Sequence, residues 1–427
     1  MKKGKIVFLL LFTLPSILHA QPSKSKSYIP IGKAKIKSSK LAFLENSKNT
    51  PLTHLIRQTV RHDLKFTLYF SFSKSFSTRE SLEKRETLSN IRKKKGIEFL
   101  IQIQPKPSSK NLIAFQGSLY DLTRQKKCLD RPYQGKDAQT LGHTFANDIF
   151  FTLTGKPGIF LSKILFVSNY TGHKEIYMMN FDGTNKIQLT NHRSIAFAPN
   201  WHPTNTKIIY SLFKIHPKTR LRTIGLYELN LLNRKLTLLS NPKQMCFGGS
   251  YSPDQKVIAY IQIVRGKSKI SLMNAKTYRP LFTQKGSDLS VEPTFQRPHG
   301  NHLAYVSDRT GEPMIYIMNK TTLGRKLTHA GCYNVNPSWS GNKIAFSGWS
   351  EGRFDIFLIQ SNGSQLERLT RGPGNSEEPD LSPNGEFIVF TSNRTGEKKI
   401  HLMNQTGSGS ICLTRYFGEC TSPRWSY

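Results

Sequence analysis

The chain is poor in acid. Of its 427 residues, 62 are Lys or Arg and 27 are Asp or Glu, a formal charge of +35. Cysteine is scarce as well: Cys128, Cys246, Cys332, Cys412 and Cys420, with no Cys-x-x-Cys spacing, which argues against a zinc or thioredoxin-like centre. Most of the five are expected as free thiols, although Cys412 and Cys420 could pair. There is no Gly-x-Ser-x-Gly nucleophile turn, no His-Glu-x-x-His and no phosphate-cradling Gly loop, so hydrolase, metalloprotease and nucleotide readings lack their chemistry. Nor is there an apolar run long enough to span a bilayer. The best candidate, residues 6–14, is too short for that. Preceded by Lys2, Lys3 and Lys5 and followed by Ala20, it reads as a secretory signal over residues 1–20. Export argues against nucleic acid as the target of the positive charge. Anionic envelope polymers, such as lipopolysaccharide or peptidoglycan, and plain solubility remain open alternatives.

What the chain does have is repetition. Ser307-Asp-Arg-Thr-Gly-Glu-Pro-Met-Ile-Tyr-Ile-Met-Asn319 returns as Ser392-Asn-Arg-Thr-Gly-Glu-Lys-Lys-Ile-His-Leu-Met-Asn404, and earlier as Ser168-Asn-Tyr-Thr-Gly-His-Lys-Glu-Ile-Tyr-Met-Met-Asn180. Copies end at Thr190, Ser240, Thr283, Thr328, Thr370 and Thr414, spaced by 50, 43, 45, 42 and 44 positions. Each holds four short strand-like runs joined by turns such as Ser252-Pro-Asp-Gln and Ser382-Pro-Asn-Gly. Such a unit cannot bury both faces alone, so copies must stack, and this period signals a β-propeller. Strands of the first type begin near Asn200, Ser250, Pro293, Pro337 and Pro379. The sixth is C-terminal, Ser422-Pro-Arg-Trp-Ser-Tyr427, and should complete the first blade and close a six-bladed ring.

The N-terminal part has another texture. Residues 21–40, rich in Lys and Ser, read as a flexible segment. Beyond them the pattern predicts a helix through Leu52, Leu55, Ile56, Val60 and Leu64, a strand over 66–72, a charged helix over 79–95, strands over 97–103 and 112–120, and a helix from Asp137 to a stop at Gly155. Alternating helices and strands make residues 41–157 a small α/β domain, with the propeller over 158–427. His143 and Asp148 sit five apart, poorly placed to share a helix face, and read as packing residues.

Ser-Pro-Asp-Gly turns, Ser-x-Arg-x-Gly, Ile-Tyr-x-Met-Asn and Leu-Thr, with Gly142-His143-x-x-x-Asn147-Asp148 and the Leu153-Thr154-Gly155-x-x-Gly158 linker, resemble the TolB family of the Tol–Pal envelope system. The second and fourth blades depart from the turn motif, with Trp201-His202-Pro203 and Gln296-Arg297-Pro298-His299-Gly300. The resemblance implies a monomeric, non-enzymatic periplasmic adaptor without cofactor or metal. It would support outer-membrane integrity and envelope constriction at division. A Pal-like peptidoglycan-associated lipoprotein would dock on one propeller face, and the N-terminal segment would reach a TolA-like inner-membrane protein.

In each blade the turns between strands two and three, and the links between blades, must share one ring face. Variable links converge there around the channel mouth. Carried onto those positions, the resemblance implies partner contacts at Met245, Val291, Glu292, Asn334, Glu377 and Glu378. The insertion at 214–222, with His216, Lys218, Arg220 and Arg222, should protrude as a basic loop. The alternative function is a sugar-acting propeller enzyme of the oligogalacturonate-lyase-like type. It would need metal ligands in the channel, for which the scattered His202, His299 and His329 are poor candidates.

Overall fold

The computed structural model describes residues 38–427 apart from 46–49, 79, 109–111, 216–221, 287, 299, 301 and 320–323. The signal, most of the N-terminal segment, His216, Lys218, Arg220 and His299 therefore lie outside the described residues. Two compact units emerge: residues 38–163 with the turn 180–184, and residues 164–179 with 185–427.

The first unit is a five-stranded sheet with helices. Strands β1 (Ser39–Phe43), β2 (Phe70–Phe72), β3 (Phe99–Pro105), β4 (Ile113–Asp121) and β5 (Lys126–Gly135) lie in the order β2-β1-β3-β4-β5. β1 is parallel to both neighbours, and β3 to β5 are antiparallel. The tail expected to be mobile through Lys40 is already paired at Ser39, against Phe70. Helix α1 (Pro51–Phe66) starts at a reciprocal Thr50–Thr53 capping box with Pro51 in the first turn, and buries Ile56, Val60 and Leu64. It consumes the start of the strand expected over 66–72. Thr67 caps it and Leu68 turns at φ 64°, leaving only Phe70–Phe72 to pair. Helix α2 (Arg85–Lys95) begins later than expected, at an uncapped Lys84.

Helix α3 (Ala138–Thr154) starts where Asp137 accepts the Thr140 N–H and stops at Gly155 in the left-handed region, as the residue pattern requires. His143 Nδ1 lies 2.7 Å from the buried Asp63 Oδ2 of α1, whereas Asp148 accepts from the Tyr133 hydroxyl at 2.6 Å. The two residues hold different neighbours and form no pair. Gly142 lets α1 and α3 approach: a Cβ there would stand 2.8 Å from Thr59 Cβ. Gly142→Ala should therefore cost roughly 1–3 kcal/mol, read from chemical denaturation of this unit.

The second unit is the propeller. Its six sheets have four strands each. Blade 1 is closed by both chain ends of the unit: β6 (Lys163–Ser168), β7 (Glu175–Asn180) and β8 (Ile187–Gln188) are joined by the last strand, β29 (Cys420–Trp425), in the order β29-β6-β7-β8. Blade 2 holds β9 to β12, within residues 195–238, and blade 3 holds β13 to β16, within 246–283. Blade 4 follows with β17 to β20 (within residues 290–326), blade 5 with β21 to β24 (334–368), and blade 6 with β25 to β28 (376–412). The cores between sheets are apolar, with Trp201, Trp339 and Trp425 almost fully buried. All five cysteines are free thiols, Cys412 and Cys420 included.

Candidate functional site

The innermost strand of each blade lines the central channel. These strands are β9 (Ile195–Trp201), β13 (Cys246–Tyr251), β17 (Ser290–Phe295), β21 (Asn334–Ser340), β25 (Ser376–Leu381) and β29. They begin two to five residues earlier than the sequence suggested, and the reason is common to all six. Every one carries a bulge, marked by a register shift against its neighbour. At the bulge one residue turns to positive φ: Ala198 (48°), Gly248 (64°), Glu292 (56°), Asn336 (53°), Glu378 (54°) and Ser422 (52°). Only Gly248 is a glycine. The other five precede a proline, which cannot donate to the ladder and so tolerates the break. Non-glycine residues are strained there, and such strain persists only where neighbours impose it.

Those neighbours can be named. Glu292 of blade 4 accepts the backbone N–H of Asn336 in blade 5 at 2.5 Å and the Asn336 side-chain amide at 2.8 Å. Glu378 of blade 6 accepts the Ser422 N–H at 2.7 Å and its hydroxyl at 2.9 Å in blade 1, and takes the Thr391 hydroxyl at 2.7 Å. Ser347 Oγ donates to Asn336 Oδ1 at 3.2 Å and receives the Glu378 N–H at 3.0 Å. A hydrogen-bonded arc thus runs from blade 4 through the closing seam into blade 1. Gly248 N–H finds the Ser211 hydroxyl at 2.9 Å on the other side.

The channel encloses about 490 Å³. Its wall holds five carboxylates (Glu292, Glu377, Glu378, Asp380, Glu419) and four basic side chains (Lys174, Arg297, Lys398, Arg424), a near balance in a chain of charge +35. Aromatic rings of Phe197, Phe247, Tyr333 and Phe354 also line it. Lys398 Nζ lies 3.2 Å from Glu377 Oε2. The opposite end is crossed by Arg297. Its guanidinium donates to Trp425 O of blade 1 at 3.2 Å, and to Asp380 Oδ1 at 3.1 Å and Leu381 O at 2.7 Å in blade 6. Blades 1 and 4 are opposite in a ring of six, so this side chain must traverse the axis.

Burial pushes the Glu292 carboxyl up to about 7, with Glu378 adding to the rise against the Asn336 N–H and Arg424. A carboxyl raised in the folded state binds its proton more tightly than in the unfolded chain. The resulting stability is full below the unfolded value near 4.5 and is lost as pH rises through about 7. Between pH 5 and 8, wild type should lose roughly 1–3 kcal/mol relative to Glu292→Gln, measured as the difference between their urea-unfolding curves.

Of the six residues expected to meet a partner, Val291, Glu292, Glu377 and Glu378 line the channel. They do so from strands and not from loops: the bulges carry the ladder into stretches that look like links. Met245 stands just before β13, its carbonyl taking the Ile263 N–H at 3.0 Å. Asn334 is fully buried, donating to Ala330 O at 2.9 Å, and so supports a link without offering itself. Asn336, Ser422 and Arg424 also line the wall, and no repeat motif marks them. The recurring residue before proline was the available signal. Among the described residues no three His, Cys, Asp or Glu side chains converge to hold a metal. His202 pairs with Thr204 at 2.8 Å and stacks edge-on against Tyr251. No helix among the described residues is long and apolar enough to cross a membrane.

Comparison with known proteins follows the same lines. The model of the TolB beta propeller domain matches residues 150–427. A Protein TolB homolog from Chlorobium luteolum is 35% identical over 318 residues, covering 73% of this chain and 70% of that protein. The Tol-Pal system protein TolB of Francisella tularensis is 28% identical over 312 residues, 67% of this chain and 68% of that one. The crystal structure of TolB from Acinetobacter baumannii shares the fold, with a TM-score of 0.74 at 20% identity over 91% of this chain and 97% of that one.

Proposed function

The chain belongs to the TolB family, and from that premise we propose that it is a periplasmic, non-enzymatic adaptor of the Tol–Pal system. A Pal-like peptidoglycan-associated lipoprotein docks at the channel mouth, where Val291, Glu292, Glu377 and Glu378 line the wall and Met245 and Asn334 shape the links behind them. Residues 21–40 contact a TolA-like inner-membrane protein. The pair of contacts ties the envelope layers together during constriction and keeps the outer membrane intact.

The observation that carries this reading is how the channel carboxylates are used. Glu292 and Glu378 each hold a neighbouring blade's strained N–H. They brace a rigid, aromatic-bearing mouth, the kind of pre-formed surface on which proteins dock with little ordering cost.

Calorimetry with the soluble domain of the Pal-like lipoprotein tests the docking. One-to-one binding is expected, and Val291→Arg, which places a long cation in the mouth, should weaken it by about tenfold or more. Deleting residues 21–39 should leave that binding in place and remove the inner-membrane contact. Absence of lipoprotein binding, together with stoichiometric metal uptake and cleavage of acidic oligosaccharides, would instead favour the sugar-acting propeller enzyme.

A further inference from the structure

The positive charge is unevenly placed. Residues 229–287 contain ten Lys or Arg and a single acid, Asp254, where the chain-wide frequency would place about four acids. The carboxylates bordering this run are turned inward. Glu228 takes Lys207 Nζ at 3.0 Å and the Tyr251 hydroxyl. Asp288 takes the Ser307 hydroxyl at 2.9 Å and lies 3.7 Å from the buried Lys269 Nζ.

Topology carries the excess to the rim. β12 (Leu236–Leu238) and β16 (Pro280–Thr283) are the outermost strands of blades 2 and 3. The turns that lead into them present Arg234 and Lys235, and Lys276 and Arg279, all exposed. Ala275 and Tyr278 of the second turn pack on a cluster that includes Ile209 and Leu226 of blade 2, so this turn rests against the adjoining blade. Next to each pair of cations in the chain stands a bare leucine: Leu232 is 81% exposed and Leu281 57%. The outermost strands of blades 4 and 5 are instead the charged pairs Arg325–Lys326 and Glu367–Arg368, the usual protection of a sheet edge.

We propose that the outer rim of blades 2 and 3 is a docking surface for an anionic phospholipid membrane. Separate leucines on an outward-curving rim offer no groove for a protein segment, but each can enter the boundary between headgroups and acyl chains. The flanking cations meet lipid phosphates there. Each Lys or Arg held near an anionic bilayer raises partitioning roughly fivefold, so four on one rim suffice for weak, salt-sensitive attachment. This surface is separate from the channel mouth and does not depend on lipoprotein docking.

Co-sedimentation of the full chain with vesicles tests it. Binding is expected to phosphatidylcholine vesicles containing phosphatidylglycerol as about one third of the lipid, and not to phosphatidylcholine alone. Lys276→Glu with Arg279→Glu should lower partitioning by about tenfold or more, and Leu232→Ser with Leu281→Ser by about fivefold. The pair Lys93→Glu and Lys94→Glu, on exposed α2, should leave it unchanged. All variants are first shown to unfold at the parent temperature. Equal loss from the α2 pair would mean that only total charge matters and would overturn the proposal. So would equal binding to both vesicle types, or retention on polyglutamate beads without binding to vesicles, which would make the occupant an acidic protein.

Discussion

A chain ending at Glu419 should show no cooperative unfolding of the propeller. The eight residues removed include the innermost strand of blade 1, paired with β6 from Cys420↔Ser168 to Trp425↔Ile164. Their loss bares a long strand edge and removes Trp425, only 1% exposed; a buried Trp alone contributes roughly 3–5 kcal/mol. It also strips partners from blades 6 and 2. Glu378 loses the Ser422 N–H and hydroxyl, Asp380 loses the Trp425 N–H at 2.6 Å, and the Trp201 indole loses Arg424 O at 3.0 Å. The net stability of a domain is of order 5–15 kcal/mol, so these losses together exhaust it. Calorimetry should show the N-terminal unit's transition without the propeller's. A truncated chain that melts within a few degrees of the parent would show that the ring does not need its closing strand.

Arg297→Met should destabilise the propeller by roughly 3–5 kcal/mol, because it leaves Asp380 buried without its cation. The drop in melting temperature should be on the order of 10 °C. Asp380 would keep the Ser338 hydroxyl at 2.7 Å and the Trp425 N–H, but these two donors cannot replace a guanidinium that crosses the axis from blade 4 to blades 6 and 1. Adding Asp380→Asn should recover part of the loss, since the uncompensated charge is then gone. A single variant within about 1 kcal/mol of wild type would mean that the guanidinium is not what bridges the ring.

The repeat period, the turn motifs and the terminal Trp425 were enough to read six blades and their closure. The limits of the blades were less legible. Each bulge breaks the alternation of side chains at the residue before proline, so Val291, Glu292, Glu377 and Glu378 looked like link residues when they are channel wall. Asn334 looked exposed because nothing in its spacing reports the Ala330 carbonyl it bonds. Arg297 stood out only as a departure from the Ser-Pro-Asp turn. That it reaches the opposite blade depends on ring geometry and on partners 83 and 128 positions away. In the N-terminal unit β5 was invisible, since Lys126–Gly135 is largely polar and exposed on a sheet edge. β1 is only five residues long and begins inside a Lys- and Ser-rich segment.

The central claim is that the channel mouth receives a protein partner. Amide hydrogen exchange of the full chain, with and without the soluble domain of the Pal-like lipoprotein, addresses it at residue level. Slowed exchange is predicted at residues 289–293 and 375–379, with the rim turns at 231–235 and 275–279 unchanged. Binding that protects other faces and leaves the mouth exchanging as before would contradict the account.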